Sequence, residues 1–77
     1  MSLNELRPGE YAIVSDILCD DLLTRRLLSL GCIKGTQIQL KKVAPLGDPI
    51  VITLKGFNLA IRKKDASDII VTVKKGA

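Results

Sequence analysis

With 77 residues, 47% of them hydrophobic and 26% charged, the chain is too apolar to be disordered and long enough for one small core. Its net charge of +4 hides an asymmetry: residues 1–24 set five acids against Arg7, and residues 25–77 set eleven bases against three acids. Histidine is absent, which removes the commonest general base and transition-metal ligand, and no apolar run approaches the ~20 residues that span a bilayer.

Taken in chain order, Asn4 to Glu10 reads as a lead-in loop with a Pro8-Gly9 turn. A first strand of about six residues follows, with Tyr11, Ile13 and Ile17 expected on its inner face. Asp20 suits a helix N-cap, because its short carboxylate reaches an orphan amide, and Asp21 suits the positive end of the macrodipole. Leu23, Leu27 and Leu30 recur at i, i+4 and i+7 and predict one buried stripe with Leu22 on its flank. Gly31 is placed for the left-handed C′ position of that helix, and Cys32 follows at C″, where it is expected to pack on Leu27.

The remainder reads as sheet. Gly35 turns the chain into a strand from Thr36 to Val43, where the alternation slips by one and predicts a bulge near Lys41-Lys42. Pro45 to Pro49 is a rigid connector carrying Gly47, Asp48 and Pro49 as turn residues. Ile50, Ile52 and Leu54 alternate in the next strand, Lys55-Gly56 turns, and Phe57, Leu59 and Ile61 repeat the period. Asp65-Ala66-Ser67 suits one turn of 3₁₀ helix, and Ile69, Val71 and Val73 give a last strand before the basic tail Lys74 to Ala77. The expectation is a mainly β fold of about five strands with one short α-helix after the first. A single domain over residues 1–77 is expected, as a small closed SH3-like barrel with few exposed strand edges, and an OB-type barrel is the alternative.

Candidate chemistry is sparse. Asp20 and Asp21 are adjacent and point in different directions at a helix start, so they read as a cap rather than a catalytic pair. Gly31 and Gly35 follow a helix, which is not phosphate-loop spacing. Cys19 and Cys32 flank the helix and read as small, partly buried thiols, with a disulfide or a metal-ligand pair as the lesser readings. Tyr11 and Phe57 are the only aromatics and are both expected to face the core, leaving no stacking platform for single-stranded nucleic acid. Lys41, Lys42, Lys55, Arg62, Lys63 and Lys64 would be the patch for duplex DNA, weighed against a solvated basic face. No catalysis and no cofactor are expected, and the class that remains is an interaction module.

Arg25-Arg26-Leu27, then Leu30-Gly31 and Gly35, followed by Gly47-Asp48-Pro49-Ile50, Gly56 and Leu59-Ala60-Ile61-Arg62, resembles the FeoA family of ferrous iron transport proteins. The lead-in Leu3, Leu6 and Gly9 resembles that family's opening, while Cys32 and Ile61 depart from residues usual there. The resemblance implies an SH3-like barrel and a cytoplasmic accessory role in bacterial ferrous iron uptake. It further implies a partner, the FeoB-type transporter with its GTP-binding domain, and no agreed catalytic or metal residues. Similar domains end DtxR-type repressors, which gives the rival reading of a regulatory or nucleic-acid-binding module. Arg25, Arg26 and Lys34 are the residues expected to meet a protein partner, with carboxylates as the groups they would pair with. Membrane insertion is not expected, and weak self-association at high concentration is left open.

Overall fold

Alternation at period two builds most of the molecule. In the computed structural model, which describes residues 1–74, Ile50, Ile52 and Leu54 are buried along β3 (Ile50–Leu54) while Val51 and Thr53 stand half exposed. The other strands are β1 (Tyr11–Ile17), β2 (Gln37–Val43), β4 (Phe57–Ile61) and β5 (Ile69–Lys74). They form one antiparallel sheet in the order β4-β3-β2-β1-β5. Helix α1 (Asp21–Ser29) follows β1, and a short helix α2 (Lys63–Ala66) separates β4 from β5. This is the expected fold class, five strands with a helix inserted after the first.

The caps and turns follow local chemistry. The Leu23 N–H donates to Asp20 Oδ1 at 2.8 Å, so Asp20 is the N-cap of α1. At the other end, the Cys32 N–H donates to Leu27 O (2.9 Å) and the Gly31 N–H to Leu28 O (3.0 Å), with Gly31 at φ +88°. These two bonds are the Schellman arrangement and satisfy carbonyls that the helix leaves unpaired. The bulge falls where expected, between Leu40 and Lys42 in the β2–β3 ladder. Lys55 (φ 47°) and Gly56 (φ 84°) form a two-residue turn of type I′ hand between β3 and β4.

Several expectations need correction. In β1 the inward residues are Ala12 and Val14, while Tyr11 is 43% exposed and Ile13 is half-buried. A register shift between Val14 and Asp16 then restores Ile17 to contact with the core. Phe57 shares the sheet face of its partner Leu54 but is not enclosed by the core: it stands at the hairpin end, 37% exposed. The lead-in is not a simple loop, because Leu3–Glu5 forms a 3₁₀ turn that buries Leu3 and, just beyond it, Leu6. The turn around Asp65 begins earlier, at Lys63, and is α-helical.

Nor is the ladder closed: β4 and β5 remain its two edges among the described residues. The β5 edge is partly covered by the N-terminal residues, through a bridge between Ser2 and Ile70 and a Val71 N–H bond to Met1 O at 2.8 Å. The tail beyond Lys74 lies outside the described residues. One buried cluster joins Leu3 and Leu6 to Leu27 and Cys32 of the α1 region and to the inner residues of the strands, with no buried polar side chain among the described residues.

Candidate functional site

Helix α1 decides where the expected partner residues point. At about 100° per residue, Leu27 points inward, Leu23 and Leu30 lie close to it, and Arg26 and Leu28 fall on opposite flanks, with Arg25 on the far face. Burial agrees: Leu27 is almost fully enclosed, Leu23 packs against the core, and Arg25 and Arg26 are exposed. Leu22, expected on the flank of the buried stripe, is instead 82% exposed.

On the Arg26 flank an open cleft of about 510 Å³ lies between α1 and α2, lined by Asp20, Leu22, Leu23, Arg26, Arg62, Lys64 and Asp65. It adjoins a narrower recess of about 150 Å³ between α1 and β4, which Leu23, Arg26, Leu30, Leu59, Ala60 and Arg62 share. On the other flank, Lys34 lines a separate surface with Asp16, Ile17, Thr24, Leu28 and Ile33. There Lys34 Nζ sits 3.7 Å from Asp16 Oδ1, an exposed pair of small energetic weight. The structure therefore brings Arg26 together with Arg62 and Lys64, leaves Arg25 on the outer helix face, and separates Lys34 from all three.

The turn residues expected from the sequence hold this arrangement. Asp48 Oδ1 accepts the Lys63 N–H at 2.9 Å, so the β2–β3 connector caps α2 from fifteen positions away. Ala44 donates its N–H to Pro49 O (3.0 Å) and Gly47 to Ala44 O (2.7 Å), which tightens that connector. The Gly35 N–H donates to Val14 O (2.8 Å), fastening the segment after α1 to β1. Lys55, at the β3–β4 turn, lies across Gly31: a Cβ there would meet the Lys55 side chain at 3.0 Å. Its cation so approaches the C-terminal end of α1, where the helix dipole is negative.

The six basic residues weighed as a DNA patch are all exposed but do not share one surface. Arg62 and Lys64 belong to the α1–α2 cleft, Lys55 leans on Gly31, and Lys41 lines a third cleft with Gln39, Phe57 and Asn58. Both cysteines are free thiols. Burial raises the pKa of Cys32; burial first, then Asp68, Asp65 and Asp20, and last Cys32, raise that of Cys19. Neither thiol is therefore an activated nucleophile. Among the described residues no three His, Cys, Asp or Glu side chains are grouped so as to hold a metal ion. No helix among them is long and apolar enough to cross a membrane. The association of Arg26 with Arg62 and Lys64 was not legible in sequence, since only the crossing of α1 over the β4–α2 junction makes them neighbours.

Residues 1–73 match the model of the FeoA domain. A fusion of Fe(2+) transport protein A with the Fe(2+) transporter FeoB from Porphyromonas gingivalis is 31% identical over 69 residues, covering 90% of this chain; the chain spans 8% of that relative's length. The solution structure of FeoA from Chlorobium tepidum matches at a TM-score of 0.95 and 35% identity, over 100% of this chain and 73% of that one. FeoA of Stenotrophomonas maltophilia, solved with zinc and described as a procaryotic SH3 domain protein, matches at 0.82 and 28% identity, over 94% and 89% of the two chains. A five-stranded sheet with its helix after the first strand, a glycine-capped helix end and a family model that runs from residue 1 to residue 73 lead to one assignment: the chain belongs to the FeoA family and has an SH3-like fold.

Proposed function

We propose that this chain acts as one domain over residues 1–77, as a cytoplasmic accessory protein of ferrous iron uptake that docks on the cytoplasmic domains of an FeoB-type GTP-binding transporter. The observation that carries the reading is the Porphyromonas gingivalis relative, in which a similar domain and the transporter are one polypeptide. Fusion gives two modules an effective concentration in the millimolar range, so it suits a pair whose separate affinity is modest. Family membership supports the role in ferrous iron transport, and the family is one of small accessory domains rather than enzymes. The action is by protein contact, without catalysis or cofactor, and biases the transporter's nucleotide or gating state. Weak self-association accompanies it.

The contact surface in this reading includes Arg25 and Arg26 on α1, which present guanidinium groups to carboxylates. Calorimetric titration of the purified GTP-binding domain and of the full-length transporter, with duplex DNA as control, tests it. Saturable binding to the transporter alone is expected, with at least a tenfold loss for Arg25→Glu combined with Arg26→Glu. Lys34→Glu, on the opposite flank, reports whether the contact extends around the helix. Unchanged binding by the folded double variant overturns the arginine assignment. Binding to DNA alone, falling steeply with salt, overturns the accessory role.

A further inference from the structure

Strand β4 pairs with β3 on one side only, in unbroken register from Leu54–Phe57 to Ile50–Ile61. In a two-residue hairpin the closing pair exchanges both backbone bonds, and bonded pairs then alternate along the ladder. Phe57, Leu59 and Ile61 therefore bond to β3, and Asn58 and Ala60 turn their N–H and C=O groups outward. Neither residue has a further backbone bond among the described residues, and both are exposed. Protected edges carry lysine, proline or a bulge. The sequence Phe57-Asn58-Leu59-Ala60-Ile61 has none of these, and its register shows no shift.

In front of this edge lies the recess under α1, where Leu23, Leu30 and Leu59 supply an apolar wall and the charged groups are Arg26 and Arg62 with one carboxylate, Asp65. The wider surroundings set Arg25, Arg26, Arg62, Lys63 and Lys64 against Asp20, Asp21, Asp48 and Asp65, five cations to four anions. We infer that the free edge of β4 binds an extended, acidic segment of a partner protein as a sixth strand. Backbone groups of Asn58 and Ala60 form the ladder, alternate apolar side chains of the segment meet Leu23, Leu30 and Leu59, and its carboxylates pair with Arg26 and Arg62. Charge complementarity selects an acidic segment over a basic one, and the unpaired backbone selects an extended peptide over a helix. This deepens the proposed docking role, on which only the source of the segment depends.

A displayed library of random ten-residue peptides, selected against the intact chain, tests the inference without the transporter. Selected peptides should alternate apolar residues with Asp or Glu. In fluorescence polarisation, N-methylation at one parity of peptide positions should weaken binding at least tenfold, and at the other parity less than twofold. Ala60→Pro, which removes an outward N–H that edge strands tolerate losing, should weaken binding at least tenfold, and Ala60→Ser less than twofold. Should Ala60→Pro fail to fold, the N-methyl series decides. Recovery of no peptide, of basic or proline-rich peptides, or of peptides indifferent to methylation parity overturns the inference. So does a homodimer of the chain alone that Ala60→Pro converts to monomer, since the occupant is then a second copy. Strand-paired peptides alongside a transporter domain that does not bind would leave this site standing and remove the proposed function.

Discussion

The two edges of the sheet are treated differently. The β5 edge is partly covered by the chain's own start: Ser2 bridges Ile70, Met1 accepts the Val71 N–H, and Leu3 anchors the segment at 1% exposure. The β4 edge faces outward with no backbone partner among the described residues and has α1 standing beside it. A small sheet with both edges bare invites pairing with other chains. Covering one edge internally confines that capacity to the other, which is flanked by Arg26 and Arg62.

The largest expected effects break the covered edge. Leu3→Ala should cost about 2–5 kcal/mol, since it empties a fully buried site that joins the N-terminal turn to β5. Leu59→Ala on β4, where the side chain is only partly buried, should cost less than about 2 kcal/mol. Urea unfolding of both variants checks the pair, and equal costs would mean that β4 is as deeply built into the core as the N-terminal turn.

Smaller effects come from the connections that hold α1 and α2 beside the open edge. Gly31→Val should cost about 1–2 kcal/mol, because a side chain in the left-handed region is strained and must also displace Lys55. An unchanged melting temperature would remove the cap from the account. Asp48→Ala should cost about 1 kcal/mol by leaving the first amide of α2 without its acceptor. Asp48→Asn, which retains an oxygen, should recover most of that loss in the same melting experiment.

The bare edge and the covered edge also differ in how far the sequence discloses them. Local chemistry was legible: Asp20 and Gly31 end α1 as their side-chain and backbone properties demand, and the phase slip after Leu40 marks a bulge. The strand pattern of β3 and β4 follows directly from alternation. Burial of Leu3 and Leu6 was not legible, because it depends on β5, close to seventy residues away. The face of β1 runs against the pattern because Tyr11 and Ile13 are larger than Ala12, so size pointed one way and the pairing of β1 between β2 and β5 the other. The clustering of Arg26 with Arg62 and Lys64 depends on the crossing of α1 over the β4–α2 junction, a contact no periodicity announces.

The two thiols sharpen the comparison by the smallest effect. Cys19 lies beside α2, with its Sγ 3.6 Å from Asp65 O, while Cys32 closes the Schellman turn inside the core. Both pKa values are raised, by burial foremost, and for Cys19 next by Asp68, Asp65 and Asp20. A raised pKa means that the native state holds its thiol protons where the unfolded chain releases them, so this contribution to stability is complete below the ordinary thiol range. It declines as pH rises through that range towards the native value. The stability advantage of wild type over Cys32→Ala should therefore be constant from pH 6 to 8 and narrow above about pH 9. The same measurement on Cys19→Ala separates the two sides: after neutralising Asp65 and Asp68 as Asn, its dependence on pH should weaken while that of Cys32 stays the same. A native Cys32 that is alkylated at neutral pH as fast as the unfolded chain would contradict its place in the core.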